Sequence, residues 1–283
     1  MRALCAIISL IPALASASEI WKSQSESWLL EGTGFYKPYV SWLGLPPSLV
    51  DGTKAMQSAI DGARPLLPPA RAAALPSSFA LPSNIGLTTS TVRANLKLSW
   101  ESKLELNVAY QLAAVIASSP QFAAAGSSNL LGAQLVTPQR RFADLSPYLV
   151  NDSGFVLQQN LDRLSLKWAG EKYSVTLGRQ VLSWGTGRLW NPTDLVSPFA
   201  PTDFDREVRR GADALRFSYS LGATSQLEVL WLPQQKAADN GGILRGRTNF
   251  GGWDVSLTAA KYVSDLVLGG DVAGDLGAAR RPR

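Results

Sequence analysis

From Val92 onward the chain alternates apolar and polar side chains with a period of two, and the alternation returns after every turn. Val92, Ala94, Leu96, Leu98 and Trp100 share one parity, while Arg93, Asn95, Lys97 and Ser99 share the other. Beyond Glu101 to Lys103, the pattern runs on through Leu104, Leu106, Val108, Tyr110 and Leu112 against Glu105, Asn107 and Gln111. Side chains of a strand point alternately to opposite faces, so this pattern builds a sheet with one apolar and one polar face. A helical face repeats about every 3.6 residues and does not fit.

Further strands of the same kind follow. Leu164, Leu166 and Trp168 alternate with Arg163, Ser165 and Lys167, and after a hairpin at Ala169 to Lys172 the return strand carries Tyr173, Val175 and Leu177. Leu215, Phe217 and Tyr219 are followed by a short turn at Leu221 to Thr224 and then by Leu227, Val229 and Trp231. Leu244, Thr248 and Phe250 precede a Gly251-Gly252 turn into Trp253, Val255, Leu257 and Ala259; a last strand carries Leu266, Leu268, Val272 and Leu276. Ser27 to Trp42 reads as a further strand interrupted by Pro38, or as a surface or plug segment. Between it and the regular strands, Leu43 to Ser90 reads as a Pro/Ala/Gly-rich loop with one short helix around Met56 to Ala63.

The connections alternate between short and long from Trp100 onward, with the longest at Ala117 to Gln159 and in the central loop that lies between the two strand ends of the stretch Gly178 to Tyr219. Tight turns at one end and long loops at the other are the rhythm of outer-membrane barrels. A soluble sandwich has no reason to keep it. Trp100, Trp168, Tyr173 and Trp253 flank short turns, where an aromatic girdle would sit at a membrane interface. The expected fold is therefore all-β, an antiparallel transmembrane β-barrel with nine strands, ten with Ser27 to Trp42, truncated or incompletely closed.

The N-terminus reads as an export leader at residues 1–17. Arg2 is followed by an apolar run from Ala3 to Ala15 and a small-residue cleavage site at Ala15-Ser16-Ala17. Residues 18–90 form an N-terminal segment, 91–278 the barrel and 279–283 a basic tail. The single cysteine, Cys5, lies in the leader, and histidine is absent. That removes thiolate chemistry and the usual general base, metal ligand and pH switch, so neither an enzyme nor a cofactor is expected. The net charge of +5 falls to +1 once Arg2 and the terminal Arg280, Arg281 and Arg283 are set aside, so the basic pI carries no nucleic-acid footprint.

In the barrel reading, the polar parity faces the lumen. It carries Arg93, Lys97, Glu105, Arg163, Lys167, Arg216, Glu228, Arg245, Arg247, Asp254, Asp271 and Asp275, a mixture without strong ion selectivity. Continuing the parity of Tyr173, Val175 and Leu177 would point Arg179 into lipid. A β-bulge at Gly178 is expected to return it to the lumen.

The central loop gathers Arg188, Asp194, Asp203, Asp205, Arg206, Glu207, Arg209 and Arg210, stiffened by Pro192, Pro198 and Pro201. These charges either line a constriction that sorts polar solutes or pair with one another and hold the loop on the wall. Asp203 and Asp205 have the look of a carboxylate pair or calcium site, but Arg206, Arg209 and Arg210 compete for them. The loop charges other than Glu207, with Arg179, Arg216, Arg245 and Arg247, are the candidate solute-binding residues.

The run GRQVLSWGTGRLWNPTDL, followed by SPFAPTDFDREVRRGADALR, resembles the strand end, loop and following strand of Gram-negative porin-like outer-membrane proteins, nearest to the alginate-export-like and related uncharacterised barrel families. The resemblance implies a passive channel, monomeric or oligomeric, with a long loop folded into its mouth. It implies outer-membrane lipid, small polar solutes and the barrel-assembly machinery as partners. Members of such families usually end on an aromatic residue, whereas this chain ends Ala-Arg-Arg-Pro-Arg. The function expected is diffusion of small polar or carbohydrate-like solutes across the outer membrane. The rivals are a structural or docking barrel without conductance and a secreted β-sandwich binding module.

Overall fold

The structure, a computed structural model, describes residues 5–9, 13–23, 25, 27–74, 80–118, 141–152, 154–184, 195–197, 208–262 and 264–274. It is mostly β. The strands are β1 (Cys5–Ser9), β2 (Ala13–Lys22), β3 (Trp28–Gly44), β4 (Asn84–Trp100), β5 (Leu104–Ala117), β6 (Tyr148–Asp152), β7 (Phe155–Ala169) and β8 (Tyr173–Gln180). They continue as β9 (Ala212–Ser220), β10 (Gln226–Leu232), β11 (Gly241–Phe250), β12 (Trp253–Tyr262) and β13 (Asp265–Ala273). Helices α1 (Pro47–Ala63) and α2 (Pro69–Ala74) lie between β3 and β4.

All the strands join one antiparallel sheet in the order β1-β3-β4-β5-β7-β8-β9-β10-β11-β12-β13. β1 pairs with Tyr39–Leu43 and β2 with Leu29–Tyr36, so both occupy the edge of β3 that β4 leaves free. Pro38 falls between those two pairings, consistent with the confinement of strand prolines to edges. One edge of β7 is covered by β5. The other is shared, with β6 on Phe155–Gln158 and β8 on Leu164–Ala169. Among the described residues β13 pairs only with β12, and the sheet does not close on itself.

The short turns that follow β4, β7, β9 and β11 lie at one end of the sheet and the longer connections that follow β3, β5, β8 and β10 at the other, where the two-residue connection from β12 to β13 also falls. Glu101 and Ser102 both take left-handed conformations, φ 45° and 57°, as do Gly251 and Gly252 at 63° and 88°. Two consecutive left-handed residues match the twist of a tight hairpin, and glycine adopts them without steric cost. Trp28 and Trp100 stack beside one short turn with ring centroids 5.9 Å apart, and Trp168 meets Tyr173 edge-on at 5.3 Å beside the next.

The two faces of the sheet have the polarity of an ordinary soluble domain reversed. The apolar parity is exposed: Leu96 is 44% accessible, Leu166 46% and Leu257 69%, and Leu177, Phe217, Val229, Leu244 and Leu268 behave alike. The polar parity is buried, including Arg93, Gln111, Asn160, Glu228, Arg245, Ser256 and Thr258. Leu230, Leu232, Ile243 and Ala260, on this second face near the long-loop end, pack beneath Leu182 and Trp184.

Two elements exceed what the alternation predicts. β4 starts at Asn84, inside the stretch read as loop, and α1 runs well beyond the helix expected at Met56 to Ala63. β7 starts at Phe155 rather than near Arg163 because its parity changes partway. The β5–β7 register shifts between Ala109 and Tyr110, which pair with Arg163 and Leu161, leaving Asp162 as the extra residue of a bulge. Before it Val156, Gln158 and Asn160 are buried; after it Ser165 is, and the exposed positions are Leu164, Leu166 and Trp168. A single inserted residue exchanges the faces of everything beyond it, so the two halves of β7 do not read as one alternating strand. The residues read as leader carry β1 and the first part of β2.

Candidate functional site

Charged residues on the buried side of the sheet form two networks. The first centres on the Asp162 bulge. Arg93 of β4 donates from Nη2 to Asp162 Oδ2 at 2.8 Å, with both side chains almost wholly buried, and donates from Nη1 to Gln111 Oε1 at 3.3 Å. Asp162 Oδ1 accepts the Gly211 amide at 3.1 Å and lies 3.8 Å from Arg141 Nη2. A Cβ on Gly211 would run into the Asp162 carbonyl oxygen, so glycine allows the start of β9 to come this close. Arg141 also donates to Ser146 Oγ at 3.0 Å and Asn160 Oδ1 at 3.2 Å. Burial, and then the nearby Arg179 guanidinium, hold Arg141 below the ordinary arginine range.

Arg179 and Asp213 are directly opposed across β8 and β9 and extend this network. Arg179 donates Nε to Asp213 Oδ1 at 2.8 Å and Nη2 to Asp213 Oδ2 at 2.9 Å, a bidentate pair. The same guanidinium donates to the Leu161 carbonyl at 3.1 Å and the Ala143 carbonyl at 2.5 Å. Asp213 Oδ2 in turn accepts the Phe142 and Ala143 amides at 3.0 and 3.3 Å. Asp162 and Asp213 thus tie β4, β7, β8, β9 and residues 141–146 to one point.

The bulge expected at Gly178 is not found there. The register passes through Gly178 without a shift on either side. Gly178 takes φ +110° instead, where a Cβ would meet the Leu164 carbonyl oxygen. Arg179 is buried because Asp213 and residues 142–143 cover it, and the bulge belongs to Asp162 of the neighbouring strand.

The second network crosses β9 to β13. Glu228 is buried and accepts from Arg216 Nη2 on one side, while Arg245 Nη1 lies 3.6 Å away on the other. Arg245 Nη2 lies 3.8 Å from Asp271, which accepts the Ser256 hydroxyl. Arg216 Nε, Glu228 Oε2 and Arg245 Nε are buried without hydrogen bonds. Arg247, two residues beyond Arg245, is exposed towards the short-turn end, as is Asp254. Lys97, Glu31 and Glu105 form a half-exposed cluster near that end, with Lys97 Nζ 3.1 Å from Glu31 and 3.9 Å from Glu105.

Of the loop charges, Arg188, Asp194, Asp203, Asp205, Arg206 and Glu207 lie outside the described residues. Arg209 donates to the Ser197 carbonyl at 3.3 Å, and the Arg210 carbonyl accepts the Ser197 hydroxyl at 3.1 Å. These two contacts hold the described parts of the central loop together. Asp162, Asp213 and Arg141 were not among the candidates. Asp162 belongs to the strand half obscured by the bulge, and Asp213 precedes the first apolar residue used to recognise β9. Arg141 lies in a stretch that reads as loop. Among the described residues no group of three or more Cys, Asp or Glu side chains is placed to hold a metal. Searches against protein-family profiles, curated proteins and solved structures found no match to this chain.

Proposed function

We propose that the chain is an outer-membrane β-barrel that admits small polar or carbohydrate-like solutes by diffusion. The observation that carries the reading is the reversed polarity of the sheet. Large apolar side chains are exposed on alternate positions of strand after strand, and charged side chains are buried on the other face. Soluble proteins rarely expose contiguous apolar surface on this scale, whereas lipid requires it. The lengths of β9 and β11 to β13, 9 to 10 residues, match those of strands that cross a bilayer. The aromatic pairs beside the short turns suit a membrane interface.

Closure of the wall belongs to this reading, because a bilayer tolerates no open sheet edge. β3, β4, β5 and β7 to β13 alternate in direction, so β3 and β13 run antiparallel to each other and can pair. β1 and β2 run parallel to β13 and occupy the edge of β3 that such a seam needs. Removal of residues 1–17 as a leader would vacate most of it. Among the described residues ten wall strands remain, an even count such as bacterial single-chain barrels have.

Planar-bilayer recording of the chain purified without residues 1–17 tests the function. Discrete conductance steps are the expected result; a folded, heat-modifiable protein that never conducts would sink it. That second outcome would favour the structural or docking barrel, which has an observation of its own in the burial of Arg93, Asp162 and Glu228 on the polar face.

A further inference from the structure

β8 and β9 stop beside the middle of β7, and the edge of β7 above them is covered by a different kind of element. β6 pairs there with Phe155–Gln158 through a register irregular between Tyr148 and Val150, and all five of its residues are exposed. Below β6, the Gln159 amide donates to the Pro147 carbonyl at 3.2 Å and the Leu161 amide to the Leu145 carbonyl at 2.9 Å. The chain then reaches Phe142 and Ala143, whose amides meet Asp213, while the Ala143 carbonyl meets Arg179. Arg141 and Ser146 converge on Asn160. Residues 141–152 are therefore an arm with a thin, exposed outer half, seated at its base by side chains of β7, β8 and β9.

We propose that Asp213, at the start of the bilayer-crossing β9, is the catch of a releasable arm: seated, residues 141–152 complete the wall above β8 and β9; released, they uncover the β7 edge at Phe155–Leu161, beyond the length of β9 that crosses the bilayer, and widen the mouth of the passage. The inference rests on the channel reading for its effect on permeation, but the catch itself does not. An ordinary wall strand is held by a backbone ladder on both edges and has no single point of release. Among the described residues this arm has a ladder on one edge only; its base is bound by side chains, by Asp213, which meets both Arg179 and the Phe142 and Ala143 amides, and beside it by Arg141, Ser146 and Gln158. Asp213→Asn keeps the shape of that side chain, removes its charge and halves its capacity as an acceptor.

Hydrogen exchange and conductance, measured on the same Asp213→Asn protein, test the proposal. The amides of Phe142, Ala143, Gln159 and Leu161 are expected to exchange about tenfold faster or more, those between β7 and β8 to stay protected, and conductance to rise. Unchanged exchange at Phe142 and Ala143 overturns the catch. Loss of protection throughout β8 and β9 also overturns it, by making Asp213 a general support of the wall. Faster exchange with unchanged conductance in a conducting protein overturns the control of passage. If neither protein conducts, the channel reading fails, and exchange alone decides whether the catch exists. Should Asp213→Asn not fold, Arg179→Lys, which keeps a positive charge beside Asp213 but loses the bidentate pair and the donor to the Ala143 carbonyl, is read by the same amides with the same outcomes.

Discussion

The network around Asp162 and Asp213 and the ladder around Glu228 use the same residue types on one sheet, and they are finished differently. Around Asp162 and Asp213 the carboxylates meet guanidinium donors and backbone amides from outside the regular ladder, at Phe142, Ala143 and Gly211. Around Glu228 all the partners are side chains of neighbouring strands, and three buried polar atoms lack a hydrogen bond. A buried charge is stable when its whole hydrogen-bonding capacity is met, and backbone amides brought by a loop supply what strand side chains alone do not. The first network is therefore a structural junction. The second is a row of charges held by one another across neighbouring strands, with part of its hydrogen-bonding capacity buried and unmet.

That difference is easiest to break at Asp162. Asp162→Ala leaves Arg93 buried without a countercharge and frees the Gly211 amide, and removing one partner of a buried pair typically costs about 3–5 kcal/mol. We expect most of the heat-modifiable folded form to be lost, measured by gel mobility after refolding into detergent. A variant as stable as the parent would dissolve the distinction between the networks. Glu228→Gln keeps the packing and removes only the charge between Arg216 and Arg245, and should destabilise by about 1–3 kcal/mol in urea titration. Its sharper readout is selectivity, which should shift towards anions as the two arginines lose their countercharge. Smallest is Lys97→Met at the half-exposed cluster with Glu31 and Glu105, which should alter stability by no more than about 1 kcal/mol. A larger loss there would place that cluster with the junction.

The sheet was legible in the sequence wherever the alternation ran unbroken. β4 from Val92 on, β5 and β9 to β13 fall where Val92, Leu104, Leu215 and the residues after them place the strands, and the turns at Glu101 and Gly251 lie where the alternation stops. β7 was half hidden because the extra residue at Asp162 exchanges its faces and places polar Gln158 and Asn160 on the buried side. The junction was less legible. It is assembled from residues distant in sequence, Arg93, Arg141, Asp162, Arg179 and Asp213, and no spacing or motif marks Arg141, Asp162 or Asp213. Arg179 did announce itself, as a charge on an apolar parity, but the sequence held no sign of the carboxylate that meets it. The helix of the β3–β4 connection was shortened in the sequence reading because only its Met56 to Ala63 portion is visibly amphipathic.

The extra residue in β7 also acts as a phase shift confined to half of one strand. Phe155 to Leu161 are keyed to one frame, and everything from Arg163 to the end of the sheet is keyed to another. Deleting Asp162 would carry Gln158 and Asn160 through to the greasy side and bring Leu157 among the charges, while β8 to β13 kept their orientation. Loss of that single residue would thus turn half a strand inside out and leave the rest of the wall in place.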